Sequence, residues 1–82
     1  MSAYILFPTL LLAQRGNRLL SESGIPSQVV KAPRQTEEKG CAYAVRMSER
    51  WLHRSLGVLD DGSIPHGKIF LPEGDRFREV RI

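Results

Sequence analysis

The sequence has only one cysteine and lacks an apolar run long enough to cross a membrane. A single cysteine cannot form an internal disulfide, and this favours a reducing compartment. The longest apolar stretch, residues 4–13, contains Pro8 and follows no basic segment, so we expect it to fold rather than to act as a targeting signal. The sequence therefore predicts a cytoplasmic protein that makes no contact with a membrane.

The sequence also lacks a block of like charges. Its 12 basic and 9 acidic side chains give a net charge of +3 and are spread along the chain. Proteins dedicated to nucleic acids usually cluster their cations, so we do not expect nucleic acid as the main partner. His53 and His66 have no recognised metal spacing with the cysteine, which argues against a metal site. A chain of 82 residues supports one hydrophobic core and excludes a two-domain enzyme.

Apolar patterning predicts four strands and two helices. We expect the strands at residues 4–7, 27–31, 41–47 and 67–71, and the helices at residues 10–23 and 49–59. Pro8 and Pro72 are expected to end the first and fourth strands, because proline lacks the N–H that a ladder needs. Thr9 and Ser48 are predicted helix N-caps, and Gly24 is the expected end of the first helix.

Two stretches have no apolar periodicity. Residues 32–40 hold turn-forming and charged side chains, so we expect a polar, mobile loop there, and residues 72–82 are expected to form a tail or a weak extra edge strand. In the first helix, Gly16 lies on the apolar stripe and would allow close approach to a sheet. Leu10 and Leu11 project in other directions and are expected to be partly exposed.

The order strand-helix-strand, strand-helix-strand predicts an α+β fold for residues 1–71. Two split βαβ units would interleave into one antiparallel sheet with both helices on one face, which is the ferredoxin-like sandwich. Right-handed crossover connections select this topology over most others. The first and second strands would run in one direction, and the third and fourth strands in the opposite one.

This topology is expected to bring several reactive side chains to one end of the sheet. They are Cys41, Thr9 at the start of the first helix, Arg34 and Lys39 of the loop, and the turn with His66. A helix N-terminus and nearby cations can lower the pKa of a thiol and so create a nucleophilic thiolate. The alternative is that Cys41 is a small buried side chain of the core. A Cys41–His66 pair is not expected, because the first strand lies between their strands.

Several motifs together resemble the selenium/sulfur carrier protein-like family. The matching segments are Tyr4-Ile5-Leu6-Phe7-Pro8-Thr9, Leu19-Leu20 with Gly24-Ile25-Pro26, Pro33-Arg34, and Gly40-Cys41 before an aliphatic strand. The family looks like a set of short ferredoxin-like domains whose cysteine carries sulfane sulfur or reduced selenium. The resemblance implies that Cys41 is the carrier thiol, that Arg34 holds an anionic persulfide, and that Thr9 caps the helix or donates a hydrogen bond to the thiolate.

The mechanism that the resemblance implies is relay between proteins, without a cofactor and without an independent catalytic cycle. A donor protein would pass its terminal sulfur or selenium to the thiol, and an acceptor thiol would take it by exchange. Leu10, Leu11, Lys39 and Gly40 would then belong to the docking surface. The chain departs from the family pattern in residues 38–40 and at Ala42, where small polar residues and a glycine are expected. The sequence does not decide whether the protein forms a homodimer through an outer strand.

Two other functions remain as alternatives. Residues 39–45 resemble the RNP1 signature of RNA-recognition modules, with Tyr43 as its aromatic residue and Tyr4 on the first strand as a second stacking platform. Cys41 stands where that signature has a base-stacking aromatic side chain. The second alternative is an interaction module that binds its partner through a sheet edge or the exposed sheet face, with no chemistry at the cysteine.

Overall fold

The computed structural model describes residues 1–36 and 41–81. Its strands and helices follow one another as β1 (Ser2–Phe7), α1 (Leu10–Glu22), β2 (Ser27–Lys31), β3 (Tyr43–Ser48), α2 (Leu52–Asp61), β4 (Ile69–Glu73) and β5 (Arg76–Val80). Single turns of 3-10 helix lie at Arg34–Thr36 and Glu49–Trp51. None of the helices in the described ranges is long and apolar enough to cross a membrane.

The strands form one antiparallel sheet in the order β2-β3-β1-β4-β5, which confirms the predicted α+β fold. β1 lies in the middle and pairs with β3 from Ser2↔Ser48 to Phe7↔Tyr43. β1 and β2 run in the same direction and β3 and β4 in the opposite one, as predicted. The sheet has five strands and not the four of a ferredoxin-like sandwich, since β5 pairs with β4. This confirms the extra edge strand, which was one of the two expectations for residues 72–82.

Pro72 lies inside β4 and does not end it. The strand continues to Glu73, and Pro72 pairs with Phe77 of β5. The ladder between β1 and β4 covers only Tyr4↔Phe70 and Ile5↔Ile69, so Pro72 lies beyond its end. Proline has no backbone N–H, but at position 72 the strand has no hydrogen bond to β1 that this would remove. The strand therefore tolerates the proline.

α1 begins and ends where the sequence indicates. The Thr9 hydroxyl oxygen accepts a hydrogen bond from the Leu12 N–H at 3.1 Å, which caps the helix. Gly24 follows the helix with a φ of 78°, a backbone conformation that glycine adopts without strain. A Cβ added to Gly16 would lie 2.9 Å from the ring of Phe7, so the predicted close approach to the sheet is confirmed.

The second helical segment differs from its prediction at both ends. Ser48 ends β3 and makes no side-chain capping bond, because the chain turns first through the 3-10 segment Glu49–Trp51. α2 then continues to Asp61, two residues beyond the predicted end. Its apolar face still packs on the sheet through Leu52 and Leu59, as predicted.

Buried side chains lie on both faces of the sheet. The main core fills the space between the sheet and the two helices and includes Ile5 and Phe7 of β1. Leu6 points to the opposite face, because successive side chains of a strand alternate. On that face the buried side chains are Leu6, Ala32, Cys41 and Ala44, and the half-buried Tyr4, Val30 and Phe70 pack against them.

The segment after β2 covers part of this second face. Ala32 is buried, and the 3-10 turn Arg34–Thr36 comes within 8 Å of β5, measured between Cα atoms. β2 and β5 are the two edges of the sheet, so the segment crosses over its non-helical face. The prediction of a polar loop is therefore wrong for residues 32–36, because Pro33 and the buried Thr36 start a turn that packs on the sheet. Residues 37–40 lie outside the described residues.

Candidate functional site

Cys41 lies just before β3, in the small apolar cluster with Leu6, Ala32 and Ala44. Only 8% of its surface is exposed. Cys41 and Tyr43 lie on opposite sides of the sheet although they are two residues apart, because β3 begins at Tyr43 and its regular alternation does not extend back to the cysteine. The thiol therefore borders the non-helical face of the sheet.

The end of the sheet that carries Cys41 is the predicted one. Phe7 and Lys31 are both register partners of Tyr43, so β1 ends, β2 ends and β3 begins at the same level. The start of α1 and the start of the segment after β2 therefore lie at this end. The Gly67 N–H donates to the Leu6 carbonyl oxygen at 2.7 Å, which brings the turn before β4 there as well.

Thr9 is exposed at the start of α1. Its hydroxyl oxygen accepts the capping bond from Leu12, and its hydroxyl proton takes no part in that bond. The role of helix cap is confirmed. The role of a hydrogen-bond donor to a thiolate stays a prediction.

Arg34 is exposed in the turn that crosses the sheet. Within the part of the chain that the structure describes, its guanidinium makes no hydrogen bond or ion pair. The turn itself is held by Thr36, whose hydroxyl donates to the Pro33 carbonyl oxygen at 2.7 Å and whose side chain is buried. The other two predicted site residues of this segment, Lys39 and Gly40, lie outside the described residues.

Leu10 and Leu11 form an exposed apolar pair in the first turn of α1. Their exposed fractions are 40% and 58%, which confirms that they project away from the core. The pair lies at the same end of the sheet as Cys41. A role in docking stays a prediction.

The two histidines lie apart from the cysteine. The His66 ring packs edge-on against Phe7 at 6.5 Å between centroids, and Phe7 belongs to the core on the helical side of the sheet. Cys41 packs on the other face. His53 is exposed on α2. No group of three His, Cys, Asp or Glu side chains in residues 1–36 and 41–81 could hold a metal ion.

The two aromatic residues of the RNA-binding alternative do not form one platform. Tyr43 packs against the core on the helical side of the sheet. Tyr4 packs against the cluster on the other side, with its ring 5.5 Å from that of Phe77 in an edge-on arrangement. Stacking of successive bases needs rings on the same face.

The side chains that surround the thiol were not predicted from the sequence. Leu6 and Ala44 are fully buried on the non-helical face, and Ala32 covers them from the segment after β2. The signal was present in residues 4–7, where four consecutive apolar side chains indicate a strand buried on both faces. Two helices on one face cover only half of such a strand.

The fold and the site define a small α+β domain with one cysteine buried in a small apolar cluster. Residues 2–71 match the model of the family described as "Putative Se/S carrier protein-like". The match covers most of the chain, and the chain belongs to this family. No curated protein and no solved structure matches the chain significantly.

Proposed function

We propose that this protein carries sulfur or selenium on Cys41, as a persulfide or a selenosulfide, and passes it between partner proteins. The observation that carries the proposal is the family match, which spans residues 2–71 and includes this cysteine, the only one in the chain. Persulfide chemistry needs a thiol, so Cys41 is the one side chain on which the cargo could be held.

The proposed relay consists of two exchange steps that balance without an external oxidant or reductant. The Cys41 thiolate attacks the outer sulfur of a donor persulfide, the S–S bond of the donor breaks, and the donor thiolate leaves with the electron pair. An acceptor thiolate then attacks the outer sulfur on Cys41 in the same way, and Cys41 leaves as a thiolate. Selenium would travel as the outer atom of a Cys41 selenosulfide.

The apolar cluster around Cys41 supports a carrier rather than an enzyme. Leu6, Ala32 and Ala44 surround the side chain and leave 8% of the residue exposed. A persulfide is consumed by any thiol that reaches its outer sulfur, so restricted access would protect the cargo until a partner docks. The chain also offers no histidine on the thiol's face of the sheet among its described residues.

The surroundings of the thiol supply the other proposed roles. Arg34 is exposed and unpaired within the described residues, so its guanidinium is available to hold an anionic persulfide. Leu10 and Leu11 lie at the same end of the sheet and would pack against the donor and acceptor proteins, together with Lys39 and Gly40. We place this relay in the cytoplasm, because thiols stay reduced there.

We further propose that residues 1–71 form a ferredoxin-like unit, to which the later residues add the end of β4 and the whole of β5. The order β2-β3-β1-β4 with two helices on one face supports this description. Both sheet edges, β2 and β5, have one unpaired side within the described chain, so a homodimer could form through either. Sedimentation of the purified protein over a range of concentrations would detect such a dimer.

The proposed function is tested by loading the purified protein with a low-molecular-weight sulfane-sulfur donor and measuring its intact mass. We expect Cys41 to gain one sulfur atom and to lose it to a thiol acceptor. Cys41→Ser should gain none, while unfolding measurements show that it is still folded. Arg34→Ala should hold the sulfur less well, whereas Arg15→Ala, an exposed arginine of α1, should behave like the parent protein.

Failure of the folded parent protein to gain sulfur from any donor would contradict the proposal. Equal sulfur uptake by Cys41→Ser would contradict it as well, since the sulfur would then be bound elsewhere. If Arg34→Ala and Arg15→Ala behave alike, Arg34 has no part in the mechanism.

A further inference from the structure

We propose that residues 32–36, which we name the strap, control access to Cys41, and that the thiol reacts when the strap lifts from the sheet at its Thr36 end. This inference rests on the proposed function and adds its regulation. Both exchange steps require a second sulfur atom in contact with Cys41, and only 8% of that residue is exposed. Part of the cover must therefore move, and the strap is the part whose contacts favour it.

The strap is attached to the sheet at both ends. At its start, the Ala32 N–H donates to the Ala42 carbonyl oxygen at 3.0 Å, which adds one hydrogen bond to the end of the β2–β3 pairing. At its other end, the turn Arg34–Thr36 comes within 8 Å of β5, and Thr36 is 1% exposed. Because the sheet order is β2-β3-β1-β4-β5, the strap extends from one edge of the sheet towards the other.

The first residue of the strap covers the side chains around the thiol. Ala32 is buried in one cluster with Cys41, Leu6 and Ala44. Leu6 and Ala44 have no exposed surface, although they point to the face of the sheet that carries no helix. Once Thr36 has left the sheet, Ala32 is held by the last hydrogen bond of a strand pair, which is where a ladder frays most easily.

Thr36 ties the far end of the strap to the sheet only by being buried there, within the described part of the chain. Its hydroxyl donates to the Pro33 carbonyl oxygen at 2.7 Å, and its N–H donates to the same oxygen at 2.9 Å. Both hydrogen bonds lie inside the turn, so they shape the strap and do not join it to a strand. Lifting a small polar side chain into water costs less than exposing a leucine or a phenylalanine.

The strap should therefore open before the rest of the fold. Of its five side chains, Ala32 and Thr36 are buried, whereas Arg34 and Gln35 are exposed. The helices, by contrast, pack on the main core through several leucines. Segments with few buried apolar contacts open at a lower free energy than the whole protein. Such an opening exposes little surface, so labelling of the thiol through it should depend only weakly on urea.

The closed and the open strap give the proposed carrier two states. The closed strap shields a persulfide on Cys41 from free thiols, and the open strap presents its outer sulfur for exchange. A donor or acceptor protein shifts the balance if it binds the open state more tightly than the closed one. The exposed strap residues Arg34 and Gln35 are accessible to such a partner in the closed state.

The test is the rate at which Cys41 is alkylated in the folded protein, measured by intact mass. Thr36→Ala removes the buried methyl group and the hydroxyl bond to Pro33, and we expect it to label Cys41 about five- to thirtyfold faster. Thr36→Ser keeps the hydroxyl and should label at an intermediate rate. Gln35→Ala changes an exposed neighbour in the same turn and should label as the parent protein does.

Leu56→Ala is the matched control for global stability. Leu56 packs on the main core from α2, on the other side of the sheet from the strap. Its truncation lowers the free energy of unfolding, and we expect Cys41 to be labelled at the parent rate. If Leu56→Ala and Thr36→Ala accelerate labelling in proportion to their loss of stability, the thiol reacts through global unfolding and the strap proposal is wrong. Parent-like labelling of Thr36→Ala and Thr36→Ser would overturn it as well.

Hydrogen exchange of the parent protein gives a second measurement that needs no variant. The Thr36 N–H is bonded inside the strap, and we expect it to exchange much faster than the paired amides of β3. Exchange as slow as that of β3 would mean that the strap opens only with the whole fold, which contradicts the proposal.

Alkylation needs no sulfur donor, so the strap and the carrier function can fail separately. Faster labelling of Thr36→Ala, with no sulfur uptake by this variant or by the parent, would support the strap and contradict the carrier function. Sulfur uptake by the parent, with equal labelling of the parent and Thr36→Ala, would support the carrier function and overturn the strap.

Discussion

Ser55 carries a buried hydroxyl without a visible benefit to the fold. The residue has no exposed surface, and its Oγ has no hydrogen-bond partner among the described residues. A hydroxyl removed from water without a partner costs stability, so Ser55→Ala should raise the free energy of unfolding by about 1 kcal/mol or more. Urea unfolding of the parent and the variant measures this difference.

Alanine also has the higher helix propensity, and Ser21→Ala on the exposed face of α1 provides the control for that effect. We expect Ser21→Ala to gain less than Ser55→Ala. A loss of stability in Ser55→Ala would show that the hydroxyl is satisfied in the protein and would contradict this account of α2.

Thr9 has one role that is confirmed and one that is proposed, and two substitutions separate them. Thr9→Ala removes the oxygen that caps α1, and we expect it to lower the free energy of unfolding by about 1 kcal/mol. Thr9→Ser keeps the hydroxyl and should stay close to the parent protein. If Thr9→Ala slows Cys41 alkylation, the hydroxyl also acts on the thiol, because a loss of stability alone would expose the thiol more often and speed its labelling. An unchanged unfolding energy would contradict the cap.

At the scale of elements, two glycines test how α1 and α2 pack. A Cβ on Gly16 would lie 2.9 Å from Phe7 Cζ and 3.2 Å from Leu59 Cδ2, and both neighbours are fully buried. Gly16→Ala should therefore destabilise the protein by about 1–3 kcal/mol, because the core has no room for the added methyl group. Thermal unfolding gives the magnitude.

Gly57 of α2 is the matched control, since nothing lies within 4 Å of an added Cβ there. Gly57→Ala should stabilise the protein by about 0.5–1 kcal/mol, which is the helix propensity difference alone. If both substitutions change stability in the same direction, crowding against Phe7 and Leu59 does not explain the effect of Gly16→Ala.

The elements with a repeating apolar pattern were predictable from the sequence, and the irregular ones were not. α1 and β2 lie where periodicity and capping residues indicate them. The turn Arg34–Thr36 has no such period, because its structure depends on Pro33 and on contact with the sheet. The passage of β4 through Pro72 depends on pairing between neighbouring strands, which a local pattern does not reveal. The same pairing decides between the tail and the edge strand that the sequence left open for residues 72–82.

At the scale of the whole molecule, the packing on the non-helical face of the sheet sets how accessible the Cys41 thiol is. Topology alone predicted the end of the sheet at which Cys41 lies. Its partners Leu6 and Ala44 could not be derived from strand alternation counted back from Tyr43, because the chain leaves regular strand geometry before that residue. Cys41 is thus buried, as the alternative of a core cysteine predicts.

The central claim is that Cys41 reacts in the folded protein, although only 8% of the residue is exposed. The direct measurement is the rate of Cys41 alkylation by intact mass across a series of low urea concentrations. The account predicts labelling that is nearly independent of urea below the unfolding transition, since the native thiol itself reacts. A rate that rises with urea in parallel with the fraction of unfolded protein would mean that Cys41 is a core side chain, and the carrier function would be abandoned.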